Sequence, residues 1–283
     1  MNCLTNPFAK KLPIAFVALG CALLGSVRQV QATDVTMTDA NSQAVVDVNS
    51  ADGMKFWSVN GAGGINQLAQ QWFWYRIGTG GGASPINSIS GATYNQTAGP
   101  NFLTTTYGNA NLSVEVDYKL TGLGMGQADI TESLFIHNNT GAPLDLHFFQ
   151  FSNFDLAGSS SGDTVTIFDD GNSPLGYNEA DQTKGVTQLS EVVNNPSAQR
   201  AEAGLNGSPL SDIVAGNDLN NNLIAGPGDA SWALQWDFAM APGADVTVFK
   251  DKQLYVQPVP EPSALALIAV SLAGFALRRR ARA

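Results

Sequence analysis

The stretch Leu112-Ser113-Val114-Glu115-Val116-Asp117-Tyr118 alternates strictly between apolar and polar residues. Extended chain with that period turns one face to a core and the other to water. That stretch lies in a run from Leu112 to Leu120, and further β-prone runs occur at Met54 to Val59, Trp72 to Ile77, Ile130 to Asn138, Leu144 to Phe154, Thr164 to Phe168, Trp232 to Met240 and Val246 to Val256. Turn clusters of Gly, Asn, Ser and Thr separate them, and no strong helical periodicity competes. The pattern predicts an all-β fold, an antiparallel β-sandwich of immunoglobulin-like or jelly-roll-like type. An N-terminal signal helix and a C-terminal hydrophobic helix should flank it.

Two hairpins stand out. One joins Leu134–His137 to Leu144–His147 through Asn138-Asn139-Thr140-Gly141-Ala142-Pro143. The other joins Trp232–Phe238 to Val246–Phe249 through Ala241-Pro242-Gly243-Ala244 and looks like the closing hairpin of an immunoglobulin-like sandwich. Asn, Pro and Gly supply the backbone conformations that tight turns require. Between Gly185 and Gly228 the pattern weakens to mixed loop, with one short helix expected near Ser197 to Ala203.

The two ends read differently from the body. Lys10 and Lys11 precede an apolar run from Leu12 to Gly25, and Val30-Gln31-Ala32 places short residues before a cut after Ala32. This is the layout of a secretory signal peptide over residues 1–32, with a mature start at Thr33. Lipoprotein processing at Cys21 is the rival, but Ala18 stands where a leucine is usual and apolar sequence continues past the cysteine. At the other end, Pro258-Val259-Pro260 makes a stiff extended linker. Val259-Pro260-Glu261-Pro262 leads into an uncharged stretch from Ala264 to Leu277, closed by Arg278, Arg279, Arg280 and Arg282. The apolar stretch is short against the about 20 residues that span a bilayer core. Snorkelling arginines and local thinning make up the difference. The arginines should stop in the cytoplasm, which puts the body on the far side, as the signal peptide does.

This three-part tail resembles the PEP-CTERM sorting signal. The resemblance implies recognition by an exosortase, a membrane-embedded cysteine protease. It further implies a precursor transiently anchored in the inner membrane of a Gram-negative-type envelope, then delivered to the cell surface or an extracellular polysaccharide matrix. Signal peptidase and exosortase are the processing partners expected, and exopolysaccharide a possible later one. The expected organisation is a signal peptide at 1–32, an extracytoplasmic domain at 33–257 and the sorting tail at 258–283.

With the ends set aside, residues 33–262 hold seven Lys and Arg against all 24 Asp and Glu, a net charge of −17. Such a surface repels nucleic acid and anionic lipid. Both cysteines, Cys3 and Cys21, lie in the signal peptide. The mature body therefore has no disulfide, zinc–thiolate site or cysteine nucleophile.

Candidate chemistry is sparse. His137 and His147 fall on opposite arms of the first expected hairpin with Asp145 nearby, a set able to hold a metal ion. Asp218, Asn220, Asn222 and Asp229 occupy positions 1, 3, 5 and 12 of a calcium-loop spacing, although Leu223 replaces the expected glycine and no helices flank it. Calcium is the one cofactor suggested; an Asn-rich surface turn explains the same residues. Asp169-Asp170-Gly171-Asn172 is a second acidic turn. In Trp72-Phe73-Trp74-Tyr75, Trp72 and Trp74 share a face and would make a stacking platform for sugar rings; a strand buried on both faces gives the same pattern. Gly78 to Gly82 opens no helix and is no phosphate loop, and no Gly-x-Ser-x-Gly elbow occurs. No pair among the carboxylates is singled out for glycoside hydrolysis.

The reading that follows is a non-enzymatic surface or matrix protein. A carbohydrate-binding module associated with exopolysaccharide is the alternative, and a polysaccharide hydrolase a weaker one.

Overall fold

A computed structural model describes residues 33–60, 64–172 and 174–257. The expected signal peptide, Val259 to Pro262, the apolar tail and its arginines lie outside the described residues. Among those described, no helix is long and apolar enough to cross a membrane.

Among the described residues, seventeen strands form two sheets. In chain order the first are β1 (Asp34–Asp39), β2 (Ser42–Asp47), β3 (Gly53–Val59), β4 (Leu68–Ile77), β5 (Ser84–Pro85) and β6 (Thr93–Asn95). Then come β7 (Phe102–Gly108), β8 (Leu112–Gly124), β9 (Gln127–Asn138), β10 (Leu144–Phe154), β11 (Asp163–Asp169) and β12 (Tyr177–Lys184). The chain continues through β13 (Thr187–Asn195), β14 (Arg200–Leu205), α1 (Ser208–Ala215), β15 (Ile224–Gly228), β16 (Ala230–Met240) and β17 (Asp245–Tyr255). One sheet runs β1-β2-β3-β4-β10-β16-β14, with β5 on β4; the other runs β15-β11-β12-β13-β17-β9-β8-β7-β6. All pairings between strands are antiparallel except a short contact of β3 with β4.

The result is an antiparallel β-sandwich, built of more strands than the about seven to nine of an immunoglobulin domain. Its alternating strands behave as their pattern requires: along β8, Leu112, Val114, Val116, Tyr118 and Leu120 are buried while the residues between them are not. Phe154 stacks on Trp232 at 5.5 Å and meets Trp57 edge-on at 6.2 Å. Each such aromatic pair is worth about 0.5–1.5 kcal/mol beyond the area it buries.

Neither expected hairpin forms. β9 and β17 lie in the nine-stranded sheet, whereas β10 and β16 lie in the other. Both Pro-containing turns are crossovers between sheets, and the strands they join pair in kind: β9 with β17, β10 with β16. The side chain of buried Asn138 ties the two crossovers together, donating to the carbonyls of Ala142 and Ala241 at 2.9 Å each. The helix expected near Ser197 to Ala203 is also absent: Arg200–Leu205 is strand β14, paired with β16, and the helix comes later, at Ser208–Ala215. Pro209 at its first turn and left-handed Gly216 at its end explain where it starts and stops.

Candidate binding surface

The nine-stranded sheet turns a polar outer face to solvent. Two hollows adjoin there across β9. One, of about 380 Å³, is lined by Asn95, Phe102, Thr104, Asp117, Lys119 and Thr131. The other, of about 480 Å³, is lined by Asp129, Ser190, Val192, Asn194, Asp251 and Gln253. Together they cross β7, β8, β9, β17 and β13, five neighbouring strands that span about 20 Å at the usual strand spacing. The groups are held in place by one another. Thr104 Oγ1 donates to Asp117 Oδ1 at 2.6 Å, and Asn194 Nδ2 donates to Asp251 Oδ2 at 2.7 Å. Lys119 lies over the Phe102 ring, 5.7 Å from its centre. Burial and the facing Asp251 push the Asp129 carboxyl above the usual carboxylate range. Further along the same face, Phe135 and Phe249 expose about 40% of their surface and meet edge-on at 6.2 Å. Hydroxyls, amides and carboxylates around a few aromatic rings can hydrogen-bond and stack against a polyhydroxylated ligand.

Trp72 and Trp74 are no part of such a surface, which corrects the stacking-platform reading. They are 0% and 2% exposed. Trp72 Nε1 donates to Asn87 Oδ1 at 3.1 Å and its ring meets Tyr107 edge-on; Trp74 packs edge-on against Phe151. β4 is buried on both faces because helix α1 and the Ser84–Ile89 segment pack beside the sheet.

The structure also separates the two histidines, because β9 and β10 belong to different sheets. His137 Nδ1 faces Asp245 at 2.7 Å on one sheet, and His147 Nδ1 faces Asp237 at 2.5 Å on the other. Asp145 lies 3.8 Å from His147 Nε2. The metal set of His137, His147 and Asp145 is not assembled. Around His147 the groups instead form a polar chain. Gln235 Nε2 donates to both Asp237 Oδ1 (2.8 Å) and Asp218 Oδ1 (3.0 Å), and buried Arg76 donates to Asp218 at 2.7 Å and to Gly216 O.

The calcium-spaced residues are engaged separately. Burial opposes ionisation of Asp218, but hydrogen bonds from Arg76 and Gln235 and the charge of Arg200 outweigh it and hold the carboxyl below its usual range. Asn220 Oδ1 accepts from the Asn222 backbone, and the Asn222 amide donates to the carbonyls of Ala203 and Ile224. Asp229 accepts the Asn206 amide on its backbone oxygen. In the Asp169–Asn172 turn, Asp170 Oδ1 accepts from the backbones of Asn172 and Gly176; the Asn172 bond foremost holds that carboxyl down at about 2.

The sequence reading missed a fully buried group of charges between the sheets. The side chains of Glu132 on β9, Glu191 on β13, and Lys250 and Lys252 on β17 are all 0% exposed. Lys250 bonds Glu132, lies 3.4 Å from Glu191 and sits 4.8 Å above the Phe73 ring of the opposite sheet. Gln150 Nε2 on β10 reaches both Glu191 oxygens, at 2.7 and 2.8 Å. A signal existed: Val248, Lys250, Lys252 and Leu254 share one parity of the strand, as do Ile130, Glu132 and Leu134, so the charges occupy core positions.

Comparison with known proteins divides the chain into a tail and a body. No curated protein matches the sequence. Residues 258–280 match the PEP-CTERM protein-sorting motif. By fold, the chain is similar to a bacterial glucoamylase solved in complex with acarbose (TM-score 0.53, 6% identity), over 85% of this chain and 36% of that one. The chain thus spans about a third of the length of that protein, and the likeness is one of fold. Weaker likenesses are to a galactose mutarotase-like protein from Lactobacillus casei (TM-score 0.47, 10% identity, 79% of this chain and 100% of that one) and a GalM/aldose epimerase homologue from C. elegans (TM-score 0.49, 8% identity, 80% and 98%). With its motif matched at 258–280, the chain carries a PEP-CTERM protein-sorting signal, which implies an exported precursor addressed for exosortase processing.

Proposed function

We propose that the body is delivered to the cell surface or extracellular matrix as an interaction protein, acting by contact and not by turnover. The observation that supports this is the position of the motif. β17 ends at Tyr255 and the motif begins at residue 258, so processing there releases the sandwich with its last strand intact. The test follows the chain in cells that carry an exosortase, with and without Glu261→Ala and Pro262→Ala. Cleavage and surface delivery should require the motif; equal delivery of the variant would overturn the reading.

A second reading, binding of exopolysaccharide, is favoured by the outer face of the nine-stranded sheet, where Phe102, Asp117, Thr131 and Asp251 line adjoining hollows. A glycan array tests it. Binding should weaken at least tenfold in Phe102→Ala and Asp251→Ala and persist in Ile224→Ala, an exposed residue lining neither hollow. Turnover of a bound glycan would instead favour the hydrolase.

A further inference from the structure

The cysteine-free body carries, at the centre of its core, the components of a different covalent staple. Glu132 and Lys250 are direct cross-strand neighbours on β9 and β17, and Glu191 and Lys252 are direct neighbours on β13 and β17. The Lys252 Nζ and Glu132 Oε1 atoms are in contact. Glu132 Oε2 accepts from Lys250. An amine therefore touches one carboxyl oxygen, while a second ammonium holds the other and a second carboxylate stands beside that ammonium.

We propose that Lys252 and Glu132 condense into an intramolecular amide that cross-links β17 to β9. In the step, Lys252 passes one ammonium proton to Glu132 Oε1, which it touches, and the freed lone pair forms an Nζ–Cδ bond with the neutral carboxyl group. Lys250 offsets the negative charge gathering on Oε2. The Cδ–Oε1 bond then breaks, and Oε1 leaves as water, carrying that proton and a second one from Nζ. One ammonium and one carboxylate become one secondary amide and one water, with no oxidant, reductant or activated group consumed.

The surroundings favour this direction. Four charges buried in a dry core carry a desolvation cost that their mutual attraction offsets only in part. Condensation removes one charge of each sign and leaves the Lys250–Glu191 pair, with Glu191 still held by Gln150. Burial, with the charge of Lys250 beside it, holds the Lys252 amine below its usual range and readies it as a nucleophile. The inference is independent of what the outer face binds.

Mass spectrometry of the exported protein tests it. Trypsin should leave residues 120–184, which contain Glu132, joined to the segment that begins at Asp251, the pair lighter by one water than its two parts. Separate Lys252→Met and Glu132→Met substitutions should restore the missing water, where those chains fold. The wild-type digest decides without them. Linear peptides of full mass would mean an ion-pair core only and overturn the proposal, as would a water lost within either peptide alone.

Discussion

The side-chain amide of Gln150 bridges the sandwich, donating to both carboxylate oxygens of Glu191 on the opposite sheet at 2.7 and 2.8 Å. Hydrogen bonds to a charged group in a dry interior are the stronger kind, and a carboxylate deprived of them bears its desolvation alone. Gln150→Leu should therefore cost about 2–4 kcal/mol in urea unfolding. Gln150→Glu should cost more, since it sets a further carboxylate beside Glu191. Unchanged stability in both would mean that the bridge contributes nothing.

Trp72 and Gly53 depend on each other. Gly53 has φ +58°, and a Cβ there would lie 2.1 Å from Trp72 Cε3. Trp72→Ala should lose about 3–5 kcal/mol through the cavity it leaves. Gly53→Ala should lose about 1–3 kcal/mol through left-handed strain and collision. Thermal or urea unfolding reads both. Loss of glycan binding in a folded Trp72→Ala protein would contradict the buried role given to the ring.

Asp163 makes stability depend on pH. Burial pushes its carboxyl up to about 6, although Lys184 stands 3.8 Å away. The folded protein then holds a proton that the unfolded chain releases near pH 4. The stabilisation is complete below that value and is lost as pH rises through about 6. Asp163→Asn should flatten the stability profile between pH 4 and 6.5 and leave the protein more stable than wild type at pH 7.5. A variant with the same pH slope as wild type would refute this.

Asp218 balances buried Arg76, which also lies over the Phe149 ring. Asp218→Ala leaves the guanidinium without its carboxylate and should cost about 1–3 kcal/mol, less than a fully buried pair because Asp218 is 38% exposed. The loss should be equal in calcium and in chelator. A calcium-dependent melting temperature in wild type, absent in the variant, would restore the calcium loop.

Much of this was legible beforehand. Alternation from Leu112 to Tyr118 specified a half-buried strand, and β10 spans the same residues, Leu144 to Phe154, that its β-prone run marked. β1, β2, β12 and β13 escaped notice because short runs such as Tyr177 to Lys184 are mostly polar and gain their strand character from the neighbours they pair with.

The sequence by itself determined which residues face inward along β8 and which address the tail carries, because both are local patterns. Only the tertiary structure decided which strands pair. A turn rich in Asn, Pro and Gly closes a hairpin or crosses between sheets equally well, and Asn138 selects the crossing by bonding two loops about 100 residues apart. The tertiary structure likewise put Lys250 and Lys252 in the core, since a lysine is tolerated there only where carboxylates from other strands, Glu132 and Glu191, arrive to meet it.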